Sequence, residues 1–183
     1  MNSILIIDTG VANLRSLEVA FARAGFATER SRDAQAVAGA DRVVLPGVGS
    51  FAAGLAALGN GLGDAVCQRI NGDRPTLSVC LGMQMLAEAS DEDPGTAGLG
   101  VLPGYVTRLE AGRVPHLGWS PVEVPSSPFW PQTGYAAFAH SYALAPGCVA
   151  DLKAAGWETA TCPVAGGFVA AARRGAVLAC QFH

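Results

Sequence analysis

Cys80 stands at the end of a short apolar run, in the string Thr76-Leu77-Ser78-Val79-Cys80-Leu81-Gly82-Met83-Gln84. A thiol brought by a strand to a sharp turn, with glycine two residues on and a helix-forming stretch over residues 83–89, has the layout of a nucleophile elbow with cysteine in the place of serine. Gly82 lets the turn approach closely. The start of the helix offers unpaired N–H groups and a positive dipole end, which favour thiolate over thiol. A lone cysteine on a strand end is more often a buried structural residue, so the rest of the chain decides. A catalytic thiol needs a base that takes its proton and returns it to the leaving group. The chain has three histidines, His116, His140 and His183. His183 follows the apolar stretch 176–182. If that stretch is a strand parallel to the elbow strand, His183 emerges beside Cys80; taken alone, it reads as a frayed terminal residue.

A second constellation is Pro46-Gly47-Val48-Gly49. Glycine at Gly47 and Gly49 permits φ > 0, so a peptide there can turn its N–H toward an oxyanion. The N–H of Leu81 is the natural second donor. The string also suits an ordinary strand-to-helix turn. It is not a phosphate loop, because no Lys-Ser/Thr follows. Metal binding is the weaker idea. Cys180 and His183 are three apart on a predicted strand and point to opposite faces, and Cys148 and Cys162 have no partners at ligand spacing. Cys67, Cys148, Cys162 and Cys180 read as small apolar residues.

The elements that must position these groups follow from periodicity. Residues 3–7, 26–30, 41–45 and 75–79 read as strands, and 13–24, 50–58 and 63–70 as helices. That alternation implies an α/β fold with a parallel sheet and helices on both faces. Ligands then collect at the carboxyl ends of the strands, where Asp8, the 46–49 turn and Cys80 fall. From residue 101 on, short extended runs (105–109, 121–124, 135–138, 142–144, 154–161, 167–172, 176–182) imply a mostly antiparallel half. No repeat or linker marks a second domain, so residues 1–183 read as a single domain.

Bulk properties set the limits. The chain has 183 residues, half of them apolar and 15% charged, which suits one domain with a sizeable core. A net charge of −3 argues against a nucleic-acid partner. No apolar run reaches the length of a membrane span, and the N-terminus lacks the basic region of a signal peptide. Five widely spaced cysteines with no C-x-x-C pair point to a reducing, cytoplasmic setting.

Taken together, 46–51 (PGVGSF), 80–84 (CLGMQ), 98–100 (GLG), 114–119 (VPHLGW), 140–142 (HSY) and 181–183 (QFH) resemble the class I glutamine amidotransferases, and within them the glutaminase-subunit branch of imidazole glycerol phosphate synthase. The resemblance implies a three-layer, flavodoxin-like α/β domain with a mixed, mostly parallel sheet. It implies glutamine hydrolysis through a Cys80 thioester, with His183 as acid and base. The oxyanion is held by Leu81 and, after rotation of the Gly47–Val48 peptide, by Val48. Gly49, Gln84, His140, Ser141 and Tyr142 line the glutamine pocket, and no metal or cofactor is needed. The partner is a (β/α)₈-barrel cyclase that receives the ammonia, docked through Asn13, Pro115, His116 and Trp119. The family continues past its last histidine with Pro-Glu, and that glutamate orients the histidine; a chain stopping at His183 is expected to lack this third member and a C-terminal stretch. Ser120, Thr9 and Ala12 stand where the family has asparagine, tyrosine and glycine. Alternatives are an impaired or dead docking scaffold, a glutaminase serving another synthase, and a stand-alone cysteine hydrolase.

Overall fold

The computed structural model describes residues 3–10, 13–110, 114–126, 130 and 133–183. Its centre is a seven-stranded sheet. The apolar run Ser3–Ile7 is β1, and Ala27–Ser31 (β2), Val43–Leu45 (β3) and Thr76–Val79 (β4) join it in parallel, in the order β4-β3-β1-β2. Alternation divides β1 between two cores. Ile4 and Ile6 face Leu14 and Phe21 of α1 (Leu14–Arg23). Leu5 and Ile7 face the opposite core, with Val37 of α2 (Ala34–Gly39), Leu58 at the end of α3 (Phe51–Ala57), and Val66 and Ile70 of α4 (Leu62–Asn71).

A buried cation fixes the approach to the elbow strand. The Arg69 guanidinium donates to the carbonyls of Val37 (3.0 Å), Ala40 (2.6 Å) and Pro75 (2.9 Å), tying α2 to the residue before β4. Burial lowers its pKa to about 10, so it stays charged at neutral pH.

The second half supplies the other side of the sheet. Glu158–Cys162 (β10), Phe168–Arg174 (β11) and Val177–Cys180 (β12) pair antiparallel in sequence order. β12 then lies parallel to β4, with Val177 opposite Thr76 and Cys180 opposite Val79. The parallel condition on the last strand is therefore met. Ala89–Ser90 (β5), Tyr105–Arg108 (β6) and Tyr142–Leu144 (β9) form a small sheet, and His116–Val122 (β7) pairs antiparallel with Gly134–His140 (β8).

Three expectations change. The helix after Cys80 is one turn, α5 (Leu81–Gln84), and does not reach Ala89. The next carbonyls are taken by a crossing segment: Leu99 N–H bonds Met85, Gly100 N–H bonds Ala87 and Gly98 N–H bonds Glu88. A Cβ at Gly98 would overlap the Ala87 carbonyl, so glycine is what lets the segment cross there. A dipole argument built on a long helix therefore gives way to the N–H groups of a single turn. The extended run expected over 154–161 starts instead as the end of helix α6 (Val149–Ala154), and only Glu158–Cys162 is strand. The stretch between β2 and β3, without an expected element, holds the short helix α2, capped by Asp33 accepting from Ala36 N–H (2.7 Å). Among the described residues no helix is long and apolar enough to cross a membrane.

Candidate active site

Cys80 sits between β4 and α5 with φ 53° and ψ −115°, a left-handed backbone that only a forced turn imposes on a non-glycine residue. Its N–H donates to the Cys180 carbonyl (2.7 Å), continuing the β4–β12 pairing through the turn. The turn is tight because Gly82 allows it: a Cβ there would overlap the carbonyl oxygen of Leu45 at the end of β3. Gly82 thus sets the elbow against the neighbouring strand.

The 46–49 turn packs on the elbow. A Cβ at Gly47 would lie 2.9 Å from Leu81 Cβ and 3.1 Å from Gly82 N, so Gly47 serves close approach. Positive φ was expected to be open to both glycines; Gly49 adopts it, at 106°, and Gly47 is not among the positive-φ residues. Ser50 then caps α3.

Cys80, Leu81, Val48, Gly49, Gln84, Pro115, His140, Ser141, Tyr142 and His183 line one cleft of about 330 Å³. His183 reaches it because the chain continues past β12, and its N–H is bonded to the Ala137 carbonyl of β8 (3.0 Å). Glu92 also lines the cleft, and one of its carboxylate oxygens accepts the Phe51 N–H at the start of α3 (2.9 Å). Glu92 lies in an acidic loop far from any motif, so no local pattern marks it. Nor does any local pattern show the contact of Gln181 Nε2 with Cys80 Sγ (3.5 Å). Burial pushes the Cys80 thiol above its usual pKa, while the Leu81 N–H and the Gln181 amide oppose it.

His140 borders the cleft but is 6% exposed, its ring 4.9 Å from that of Phe168. Its Nδ1–H donates to the Tyr142 carbonyl (3.0 Å), and its Nε2 has no partner among the described residues. Burial, with His116 and His183 nearby, lowers its pKa to about 4, so it is neutral at pH 7. Gln84 turns its amide inward, donating to Tyr142 O (2.7 Å) and Gln181 Oε1 (2.9 Å).

The hairpin carries the remaining candidates. Trp119 is 73% exposed, and Leu117 and Tyr135 (66% and 72%) share its face through the pairings Leu117–Ala139, Trp119–Ala137 and Pro121–Tyr135. The His116 ring turns the other way, its Nε2 3.0 Å from Ser120 Oγ and its ring against Phe138. Asn13 caps α1 and borders an apolar groove of about 640 Å³ next to the cleft. Thr9 is buried, and Ala12 lies outside the described residues.

The family model for glutamine amidotransferase class-I matches residues 5–183. The chain belongs to the class I glutamine amidotransferases. Among curated relatives of this family, an imidazole glycerol phosphate synthase subunit HisH from Methylococcus capsulatus is 38% identical, over all of this chain and 89% of that protein. One from Thermococcus kodakarensis is 37% identical over 98% of this chain and 90% of its own length. The chloroplastic imidazole glycerol phosphate synthase hisHF of Arabidopsis thaliana is 36% identical over 98% of this chain, which spans 31% of that longer protein. A crystal structure of glutamine amidotransferase shares the fold, with TM-score 0.72 at 23% identity over 98% of this chain and 89% of the other.

Proposed function

We propose that this amidotransferase hydrolyses glutamine at Cys80 and serves as the glutaminase subunit of an imidazole glycerol phosphate synthase. The carrying observation is the convergence of Cys80, His183 and the Val48-Gly49 end of the 46–49 turn on one cleft, in a chain whose full-length relatives bear the HisH name. Cys80 Sγ gives its proton to His183 and attacks the side-chain amide carbon of glutamine. The oxyanion is met by the Leu81 N–H and, once the Gly47–Val48 peptide turns, by that of Val48. His183 returns the proton to the amide nitrogen, and ammonia leaves. Water, deprotonated by His183, then opens the thioester, releasing glutamate and the thiol. Glu92 offers its other carboxylate oxygen to the substrate ammonium, and Gly49, Gln84 and the Ser141-Tyr142 segment complete the pocket around it.

The exposed Leu117–Trp119–Tyr135 face, with Pro115 before it and Asn13 at the groove next to the cleft, docks the cyclase, a (β/α)₈ barrel. Ammonia passes to the barrel to make imidazole glycerol phosphate and AICAR, in the cytoplasm. The 46–49 turn is the switch: an oxyanion donor out of place costs about 10²–10³ in rate. Cys80→Ala tests the assignment. Glutamine turnover is expected to vanish, while ammonia-dependent synthesis by the complex survives. Retained glutamine turnover would remove Cys80 from the nucleophile's role.

A further inference from the structure

Gln181 is fully buried and held at both ends. Its N–H donates to the Ala170 carbonyl (2.8 Å), which fixes its backbone at the end of β12. Its side chain is the third link of a buried relay with a definite direction. The Tyr142 carbonyl can only accept, so the group of Gln84 that faces it at 2.7 Å is the NH₂. The same NH₂ faces Gln181 at 2.9 Å, so the oxygen of Gln181 lies at that end. The NH₂ of Gln181 is thereby left pointing at Cys80 Sγ, 3.5 Å away. Reversing Gln84 would set oxygen against oxygen, and reversing Gln181 would set one NH₂ against the other.

We propose that Gln181 is a catalytic residue that donates its side-chain N–H to the Cys80 sulfur and holds it as thiolate. A hydrogen bond to sulfur strengthens when the sulfur carries the negative charge, and buried Cys80 has the Leu81 N–H as the other donor that favours that charge. The bond therefore favours the two moments at which sulfur is anionic. The first is after the thiol proton passes to His183 and before the C–S bond forms. The second is when the C–S bond of the thioester breaks and the electron pair returns to sulfur. Gln84 and Tyr142 act as positioning residues, because they set which end of the Gln181 amide faces the sulfur.

The inference rests on Cys80 being the nucleophile, and its test reads the thiol without glutamine, so the two fail separately. In the full chain, the rate of Cys80 alkylation by iodoacetamide is followed against pH. Gln181→Met keeps the length and removes the donor. Its midpoint is expected to rise by about one pH unit, with roughly tenfold slower alkylation below it. A midpoint equal to that of the unaltered chain would overturn the proposal. A second reading needs no altered Gln181. In ¹⁵N-glutamine-labelled protein, the side-chain amide resonance of Gln181 is expected to shift with the Cys80 midpoint and to lose that shift in Cys80→Ala. A resonance indifferent to Cys80 titration would overturn the proposal as well.

Discussion

The main-chain N–H of His183 donates to the carbonyl of Ala137, 3.0 Å away, and Ala137 lies opposite Trp119 in the β7–β8 pairing. The histidine of the cleft is thus tied to the strand whose partner bears the exposed tryptophan. A force on the outer face of the hairpin reaches His183 through one strand pairing and one hydrogen bond. The proposed docking face and the proposed acid–base histidine therefore share a mechanical element.

Trp119→Ala tests the docking face. At 73% exposure the ring contributes little to folding, so thermal stability is expected to be unchanged. Large apolar side chains at the centre of an interface carry about 2 kcal/mol or more of binding, so affinity for the cyclase, measured by calorimetry, is expected to fall at least about thirtyfold. Unchanged affinity would place the interface elsewhere.

Gly82→Ala tests the packing of the elbow. The added methyl overlaps the Leu45 carbonyl, a backbone atom with no room to yield. Overpacking of this kind costs about 1–3 kcal/mol. The denaturant midpoint is expected to drop accordingly, and glutamine turnover with it.

His140 gives the fold an acid-sensitive point. Its pKa falls from 6.5 free to about 4 in the folded chain, chiefly by burial. A lowered folded pKa means stability that is fully present above about pH 6.5 and is lost as the pH falls toward 4. The two values correspond to roughly 3 kcal/mol. His140→Phe removes the titration while Tyr142 O keeps its bond from Gln84. Its melting temperature is expected to fall less steeply between pH 6.5 and 4 than that of the unaltered chain.

Gly47→Ala tests the oxyanion turn. The new Cβ, 2.9 Å from Leu81 Cβ, pushes the loop off the elbow. Loss of one oxyanion donor lowers kcat by about 10²–10³, and KM for glutamine is expected to change far less.

What could be read from the sequence was local chemistry. The elbow and the 46–49 turn are contiguous strings whose geometry depends on glycines within them, and β12 is marked by a continuous apolar run. What could not be read depends on distant backbone. The length of α5 is set by Gly98, Leu99 and Gly100 taking the carbonyls of Glu88, Met85 and Ala87. Glu92 enters the cleft because α3 offers it the Phe51 N–H. His116 has the composition of an interface residue, but the pleat turns it inward, toward Ser120 and Phe138. Gln181 stands in a recognisable string, yet the direction of its amide is fixed by Gln84 and Tyr142, which lie about a hundred and about forty residues earlier.

The most direct test of the central claim is glutamine hydrolysis by this chain, measured alone and with a cyclase subunit loaded with the ribonucleotide substrate. Slow turnover alone and strong stimulation by the loaded partner are expected, with the ammonia appearing in product. Binding without turnover in either state would contradict the glutaminase reading and leave a docking scaffold in its place.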